Sequence, residues 1–275
     1  MQINKKNTKK RKFITAAHMK VCEISEYRTF IFAQVQRNLY GRYKNSYLGF
    51  TWNFVTPLIY IVLCYILFKE LKTSTIDNYI LFISSGVFAY SMLVSGITGG
   101  GNLFIGNSGM IKKMYFPREI LAIISAISAS IIMIIGYTIV GLIIILTGHE
   151  INFITIPFVI LVLLCTFVFH IGCSLLLGTI TVYVRDIQHL LNSITIVFFI
   201  CTPIRISISE ATGVIANIYA INPLTYFIEP LHQLIYYGNI PDLLILSIMI
   251  LLSIVIFFSG YVVFCKFKHG FVERL

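Results

Sequence analysis

Six stretches of this 275-residue chain run for 18 to 32 residues without one Asp, Glu, Lys or Arg: 50–68, 79–97, 120–147, 153–184, 187–204 and 243–265. A helix needs about 20 apolar residues, rising about 1.5 Å each, to cross a hydrocarbon core of ~30 Å. Each stretch is long enough to cross or nearly so, and the two longest can tilt or project beyond the bilayer. The whole chain is 57% hydrophobic and 12% charged, against roughly 25% charged in a soluble domain, too little to cover its surface in water. The expected fold is an all-α integral membrane protein with six transmembrane helices.

Charge placement sets the expected orientation. The formal net charge is +10, and eighteen of the 21 Lys and Arg fall on one side of a six-span topology. Eleven lie between residues 5 and 44; the others are Lys112, Lys113, Arg118, Arg185, Lys266, Lys268 and Arg274. Only Lys69, Lys72 and Arg205 remain opposite, while the acids divide almost evenly. Retention of basic loops in the cytosol produces this asymmetry, so both termini are expected to be cytoplasmic. The excess charge then reflects topology and contact with anionic lipid, not a nucleic-acid footprint. Residues 1–12 are basic but no apolar core follows them, so a cytoplasmic tail over 1–26 is expected in place of a signal peptide.

Between that tail and the first apolar stretch, residues 27–49 place Phe30, Ile31, Val35, Leu39 and Tyr43 at three- to five-residue steps, with Arg28, Arg37 and Arg42 elsewhere on the wheel. This predicts an amphipathic helix on the inner membrane surface. Residues 205–241 are too polar and too broken by Pro and Gly to span, yet too apolar to float in water. Two short re-entrant helices buried in protein and an amphipathic pair lying flat both fit. The six cysteines lack CxxC spacing, which leaves isolated thiols in apolar surroundings.

Chemistry-bearing constellations are scarce. "GNLFIGNS", Gly101 to Ser108, has the spacing of a phosphate-cradling loop but carries Asn107 where the lysine belongs, and an apolar stretch precedes it where a strand should. Asp186 and His189 are a proton-handling pair or, more simply, residues that cap a helix turn and pair with a neighbouring cation. His170 is the one ionisable group deep in an apolar stretch, with no acidic partner on its helix to make a relay. A carrier driven by an ion gradient needs mid-membrane charges. If this chain moves a solute, the energy comes from another subunit gripped at the cytosolic face.

Four segments in order carry a family resemblance: "RYKNSYLGFTWNFVTPL" (Arg42 to Leu58), "GMIKKMYFPREIL" (Gly109 to Leu121), "VRDIQHLLNSI" (Val184 to Ile194) and "INPLTYFIEPLHQLIYYG" (Ile221 to Gly238). From about residue 27 to the C-terminus the chain resembles the membrane subunit of polysaccharide-exporting ABC transporters, which move lipid-linked O-antigens, capsular polysaccharides and teichoic acids. The resemblance implies a six-span permease of the type-2 ABC fold over 50–275, paired as a homodimer with two copies of a separate ATPase subunit in the cytoplasmic membrane of a prokaryote. ATP and Mg would sit on that partner, with no cofactor, metal or catalytic residue on this chain.

The resemblance also implies roles. Lys112, Lys113, Met114, Tyr115, Phe116, Pro117, Arg118 and Glu119 would couple to the ATPase, with Met114, Tyr115 and Phe116 as apolar knobs inside a basic collar. Pro117 suits the start of the third span and Glu119 its N-terminal dipole. The plainer alternative is a set of cytosolic anchor charges beside interfacial aromatics. Arg42, Tyr43 and Lys44 would meet the carrier pyrophosphate at the inner mouth, or merely snorkel. Asn53, Thr56 and Tyr60 share one helical face, and Asn192, Ile196 and Phe199 another; these would line the tunnel or serve helix packing. Pro223, Tyr226, Phe227, Glu229 and Pro230 would belong to an external gate. The competing functions are an ABC permease for drugs or small lipids and a membrane enzyme of lipid-linked glycan assembly. The second needs an acidic or metal-binding cluster at an interface.

Overall fold

The computed structural model describes residues 26–41, 47, 49–66 and 76–275, apart from the side chain of Asn53, and every regular element among them is helical. α1 (Arg28–Tyr40) is followed by α2 (Trp52–Tyr65), which a 3-10 turn introduces. α3 (Tyr79–Val94) continues through one π-helical turn, Ser95–Gly99. Two short helices, α4 (Leu103–Gly106) and α5 (Ser108–Lys113), lead to α6 (Glu119–Thr147). After α7 (Ile156–Tyr183) and α8 (Ile187–Ile200) come two half-length helices. These are α9 (Val214–Ile221) and α10 (Thr225–Leu231), the latter extended by a π turn over His232–Tyr236. α11 (Leu243–Phe267) and α12 (Phe271–Arg274) complete the chain.

Four of these helical runs are long and apolar enough to cross a membrane: Tyr79–Gly99, Glu119–Thr147, Phe153–Tyr183 and Leu243–Arg274. The other two expected crossings are shorter, Gly49–Tyr65 and Ile187–Ile200, roughly 25 Å and 21 Å of rise. The fifth apolar stretch stops early for a local reason. Pro203 disfavours a helical Thr202 before it, and Asn222 Nδ2 donates to both Cys201 O and Thr202 Oγ1 at 2.8 Å, holding the chain end away from the helix. α6 ends at Gly148 with φ 64°, and His149 N–H reaches back to Ile144 O. That left-handed closure favours glycine.

The long helices pack through small residues. α7 and α11 make the most extensive pairing, with Gly172 and Gly260 at the crossing. A Cβ on Gly172 would lie 2.6 Å from Phe257 N, and one on Gly260 would collide with the Gly172 carbonyl. Without a hydrophobic drive between helices in lipid, such close backbone approach supplies the dispersion contact. α3 is almost wholly enclosed, by α2, α6, α7 and α10. His170 of α7 is fully buried. Its Nδ1 lies 3.0 Å from Met92 O and its Nε2 3.1 Å from Ser125 Oγ, tying α3, α7 and α6 together. The intramembrane histidine is thus a satisfied core residue.

The bundle has two chemically distinct ends. α1, the α4–α5 segment, the α7–α8 turn and α12 gather at one; the α6–α7 turn and the α9–α10 hairpin gather at the other. Nine of the ten described Lys and Arg lie at the first end, leaving Arg205 at the second. α1 does not float free of the bundle: Val35 and Leu39 are buried, and the helix packs on α6.

Candidate functional site

At the basic end, α5 unwinds at Met114, whose φ −129° and ψ 139° are extended. The segment from Met114 to Arg118 bridges to α6. Lys112, Lys113 and Met114 are exposed, and Tyr115 is 99% exposed. Phe116 differs: it is 7% exposed, with its ring 5.3 Å from Phe30 of α1. Two apolar side chains therefore protrude where three were expected, and the third pins the loop to α1. Arg118 donates to Lys268 O and lies 5.6 Å from the Phe271 ring, so its guanidinium braces the C-terminal helix from behind the loop. Pro117 accepts the Ile120 amide at 3.1 Å, and Glu119 is buried in the first turn of α6. A shallow hollow of about 240 Å³ opens beside Tyr115, walled by Lys112, Lys113, Arg118 and Val272.

A larger cavity, about 740 Å³, lies between α2, α3 and α6 and reaches the last turn of α1. Thr56, Tyr60 and Phe199 are on its wall, so three of the six residues expected in the tunnel come together. Tyr60 and Phe199 meet edge to face at 4.5 Å; Tyr90 stands 5.4 Å from Phe199 and donates its hydroxyl to Thr195 O at 3.1 Å. Asn192 and Ile196 are elsewhere, on an exposed face of α8 shared with Leu190, Val197 and Ile200. Asn192 accepts from Gln188 Nε2 at 3.3 Å. Arg42, Tyr43 and Lys44 lie outside the described residues, as does the Asn53 side chain.

At the opposite end, α10 is wedged among α3, α7 and α11 with Phe227, Ile228 and Leu231 fully buried. Phe227 stacks obliquely on Phe169 at 4.9 Å. α9 lies outside, with Val214, Ile215 and Ile221 exposed. Pro223 is exposed at the turn between them, and Tyr226 O–H donates to Ala220 O across it at 2.9 Å. Pro230 sits inside α10, where it removes one backbone donor. Just beyond, the helix widens into its π turn. Glu229 is buried and accepts from Gln233 Nε2 at 3.0 Å. Burial pushes its carboxyl up to about 7, against the opposing pull of the Gln233 hydrogen bond.

His232 and Asn222 organise this hairpin, and neither stood out in the sequence. The His232 ring stacks on Phe82 at 4.0 Å, with Nδ1 2.9 Å from Ser85 Oγ and Nε2 2.9 Å from Pro203 O. A polar residue every few positions within an apolar segment was the only available signal, and it does not name the partner. The near-match to a phosphate loop, 101–108, folds as helical turns whose amides are used internally, as in Gly106 N–H to Asn102 O at 2.8 Å. Asp186 and His189 are exposed at the start of α8, where the Asp186 carbonyl accepts the His189 amide at 3.1 Å.

Residues 29–236 match the ABC-2 type transporter family. An O-antigen export system permease protein RfbA of Klebsiella pneumoniae is 25% identical over 239 residues, covering 87% of this chain and 92% of its own length. A second from the same organism is 24% identical over the same shares. One from Myxococcus xanthus is 23% identical over 257 residues, or 93% of this chain and 98% of its own.

Proposed function

Because the chain belongs to the ABC-2 type transporter family, we propose that it is the membrane permease of an exporter for a lipid-linked polysaccharide, powered by a separate ATP-hydrolysing subunit. The observation that carries this reading is the near full-length similarity to three O-antigen export permeases. The chain is a transport conduit and not an enzyme; ATP and Mg belong to the partner. Two copies of the permease pair, each gripping one ATPase subunit, in the cytoplasmic membrane of a prokaryote.

In this reading the basic end faces the cytosol, as the positive-inside rule requires. α2 and α8 complete a six-span set, the polar ends of their short helices being shielded in the dimer. The α9–α10 hairpin is the external gate, tolerable at membrane depth because α10 is packed among protein helices. Met114 and Tyr115 seat in a cleft of the ATPase, with Lys112 and Lys113 around them. Thr56, Tyr60 and Phe199 supply aromatic and hydroxyl surface to the cargo, and Arg42, Tyr43 and Lys44 meet its charged head.

The test is reconstitution of permease and ATPase in vesicles with a lipid-linked glycan. Export should require both subunits and ATP; uphill movement by the permease alone refutes the proposal. For the orientation, single cysteines at Asp77 and Asp242 should react with an impermeant label from outside intact cells, and those at Lys113 and Lys268 should not. The reverse pattern overturns the topology and not the function.

A further inference from the structure

Two links between long helices at the basic end, the α5–α6 segment and the α7–α8 turn, are tied to the same short stretch of chain. A 3-10 turn, Lys268–Gly270, joins α11 to α12, and the carbonyls that close a helix are short of donors. Here side chains from elsewhere supply them. Tyr183, the last residue of α7, donates its hydroxyl to Phe267 O at 2.9 Å. Arg118 of the α5–α6 segment donates to Lys268 O, which also accepts the Phe271 amide. Each donor makes a second contact beyond the turn. The Arg118 guanidinium lies 5.6 Å from the Phe271 ring, and the Arg274 guanidinium lies 5.6 Å from the Tyr183 ring. A Cβ on Gly270 would stand 2.6 Å from the Tyr183 hydroxyl, so the close approach at this turn requires glycine.

α12 has four residues, too few to hold a helix unaided. Phe271 keeps it in place: the side chain is fully buried, with its ring 4.8 Å from Phe104 of α4 and 6.0 Å from Phe264 of α11. Buried rings resist being pulled apart but leave two surfaces free to slide, whereas directional hydrogen bonds fix their register. On the far side of the α7–α8 turn, Gln188 Nε2 donates to Thr98 O at 3.2 Å, within the π turn of α3. We propose that residues 267–274 are a crossbar locking the α5–α6 segment to the α7–α8 turn, so that a push on Met114 and Tyr115 carries the start of α8 along with the start of α6. The crossbar itself is a property of the fold; the ATPase as the source of the push rests on the permease reading. Tyr183, Gly270 and Phe271 are then positioning residues for coupling, although none of them faces the ATPase in that reading.

The crossbar is tested first without the ATPase. Spin labels on cysteines at Lys113 and Asp186, both exposed, in a background lacking native cysteines should report one narrow distance in the purified full-length chain. Tyr183→Phe removes only the hydroxyl, and Gly270→Ala displaces it; each should broaden the distribution. The double variant should broaden it no further, because both changes break one bond. Phe271→Ala should broaden it as well, and Phe271→Leu should restore most of the narrowness. If Phe271→Ala fails to fold, the Tyr183 and Gly270 variants still decide the matter. With the ATPase in vesicles, Tyr183→Phe should leave ATP hydrolysis and subunit copurification at parental levels and cut export per ATP about fivefold. A distribution that stays narrow in every variant, or parental export per ATP in a variant whose distribution has broadened, overturns the proposal. A parent that shows the narrow distance yet exports nothing with ATPase and ATP overturns the permease reading alone.

Discussion

His170 and Glu229 are both buried polar groups in apolar helices, and their surroundings give them opposite prospects. His170 has partners on α3 and α6 for both ring nitrogens. Replacing it with Leu removes the hydrogen bonds that link α7 to Met92 O and Ser125 Oγ. A hydrogen bond contributes about 0.5–1.5 kcal/mol net, so His170→Leu should melt lower in detergent while a membrane-inserted chain is still produced. An unchanged melting temperature would deny the three-helix tie. Glu229 has Gln233 as its hydrogen-bond donor, and its carboxyl is pushed up to about 7 by burial. An unfolded carboxyl ionises near about 4.3. Between those values the folded chain holds a proton that the unfolded chain has released, so stability falls as pH rises through the window. Glu229→Gln, which keeps the shape without the charge, should therefore melt higher than the parent at about pH 8 and no higher at about pH 4. A pH-independent difference would show that the carboxylate is not what burial penalises.

Among the elements, the α5–α6 segment combines two jobs that its sequence does not separate. Met114 and Tyr115 face out while the next residue, Phe116, faces in against Phe30. The extended backbone at Met114 ends α5 there and leaves Met114 and Tyr115 outside the bundle before Phe116 meets α1. Met114→Ala with Tyr115→Ala should leave melting temperature and ATP hydrolysis near parental values and cut export several-fold. Phe116→Ala should instead lower stability, by roughly 3–5 kcal/mol if the site behaves as a buried core position. Equal thermal loss from both variants would argue that the exposed pair is structural. The composition "KKMYF" fits anchor charges beside interfacial aromatics equally well, and only the family resemblance marked the loop as a contact element. Which rings were free to make the contact depended on α1 folding back over the loop, a contact nearly ninety residues distant in sequence.

At the scale of the molecule, the exposed faces fall into two kinds. Leu142, Ile145 and Leu146 on α6 form an apolar surface, and the exposed Thr138 and Thr147 beside them return their hydroxyls to Ile135 O and Ile143 O of the same helix. α8 instead exposes the Asn192 amide beside Ser193, Ile196 and Val197, and if α8 crosses the bilayer as proposed, such a polar group does not face hydrocarbon without cost. A second copy of the chain across a two-fold axis would cover that face. Cysteines at Asn192 and Ile196 in a background lacking native cysteines should form disulfide-linked dimers on oxidation, and cysteines at Leu142 and Ile145 should not. Cross-linking at α6 alone would move the interface to the other side of the molecule.

The long spans, the segregation of basic residues and the break at 205–241 are properties of composition and order along the chain. Solvent chemistry alone acts on them: apolar runs partition into hydrocarbon and cations stay out of it, whatever the helices do next. The helical period over 27–49 also predicted an amphipathic helix; α1 covers Arg28–Tyr40 of that stretch and buries Val35 and Leu39. Geometry between distant segments followed no such rule. Which face of α8 meets the cavity, whether Phe116 protrudes, and where His232 and Asn222 find partners are decided by close packing. A polar atom in a core is satisfied by whichever carbonyl or hydroxyl the tertiary arrangement brings to about 2.9 Å, and local sequence holds no record of that neighbour. The same packing created the cavity beneath Tyr60, by leaving unfilled the space between three helices that the sequence only said would exist.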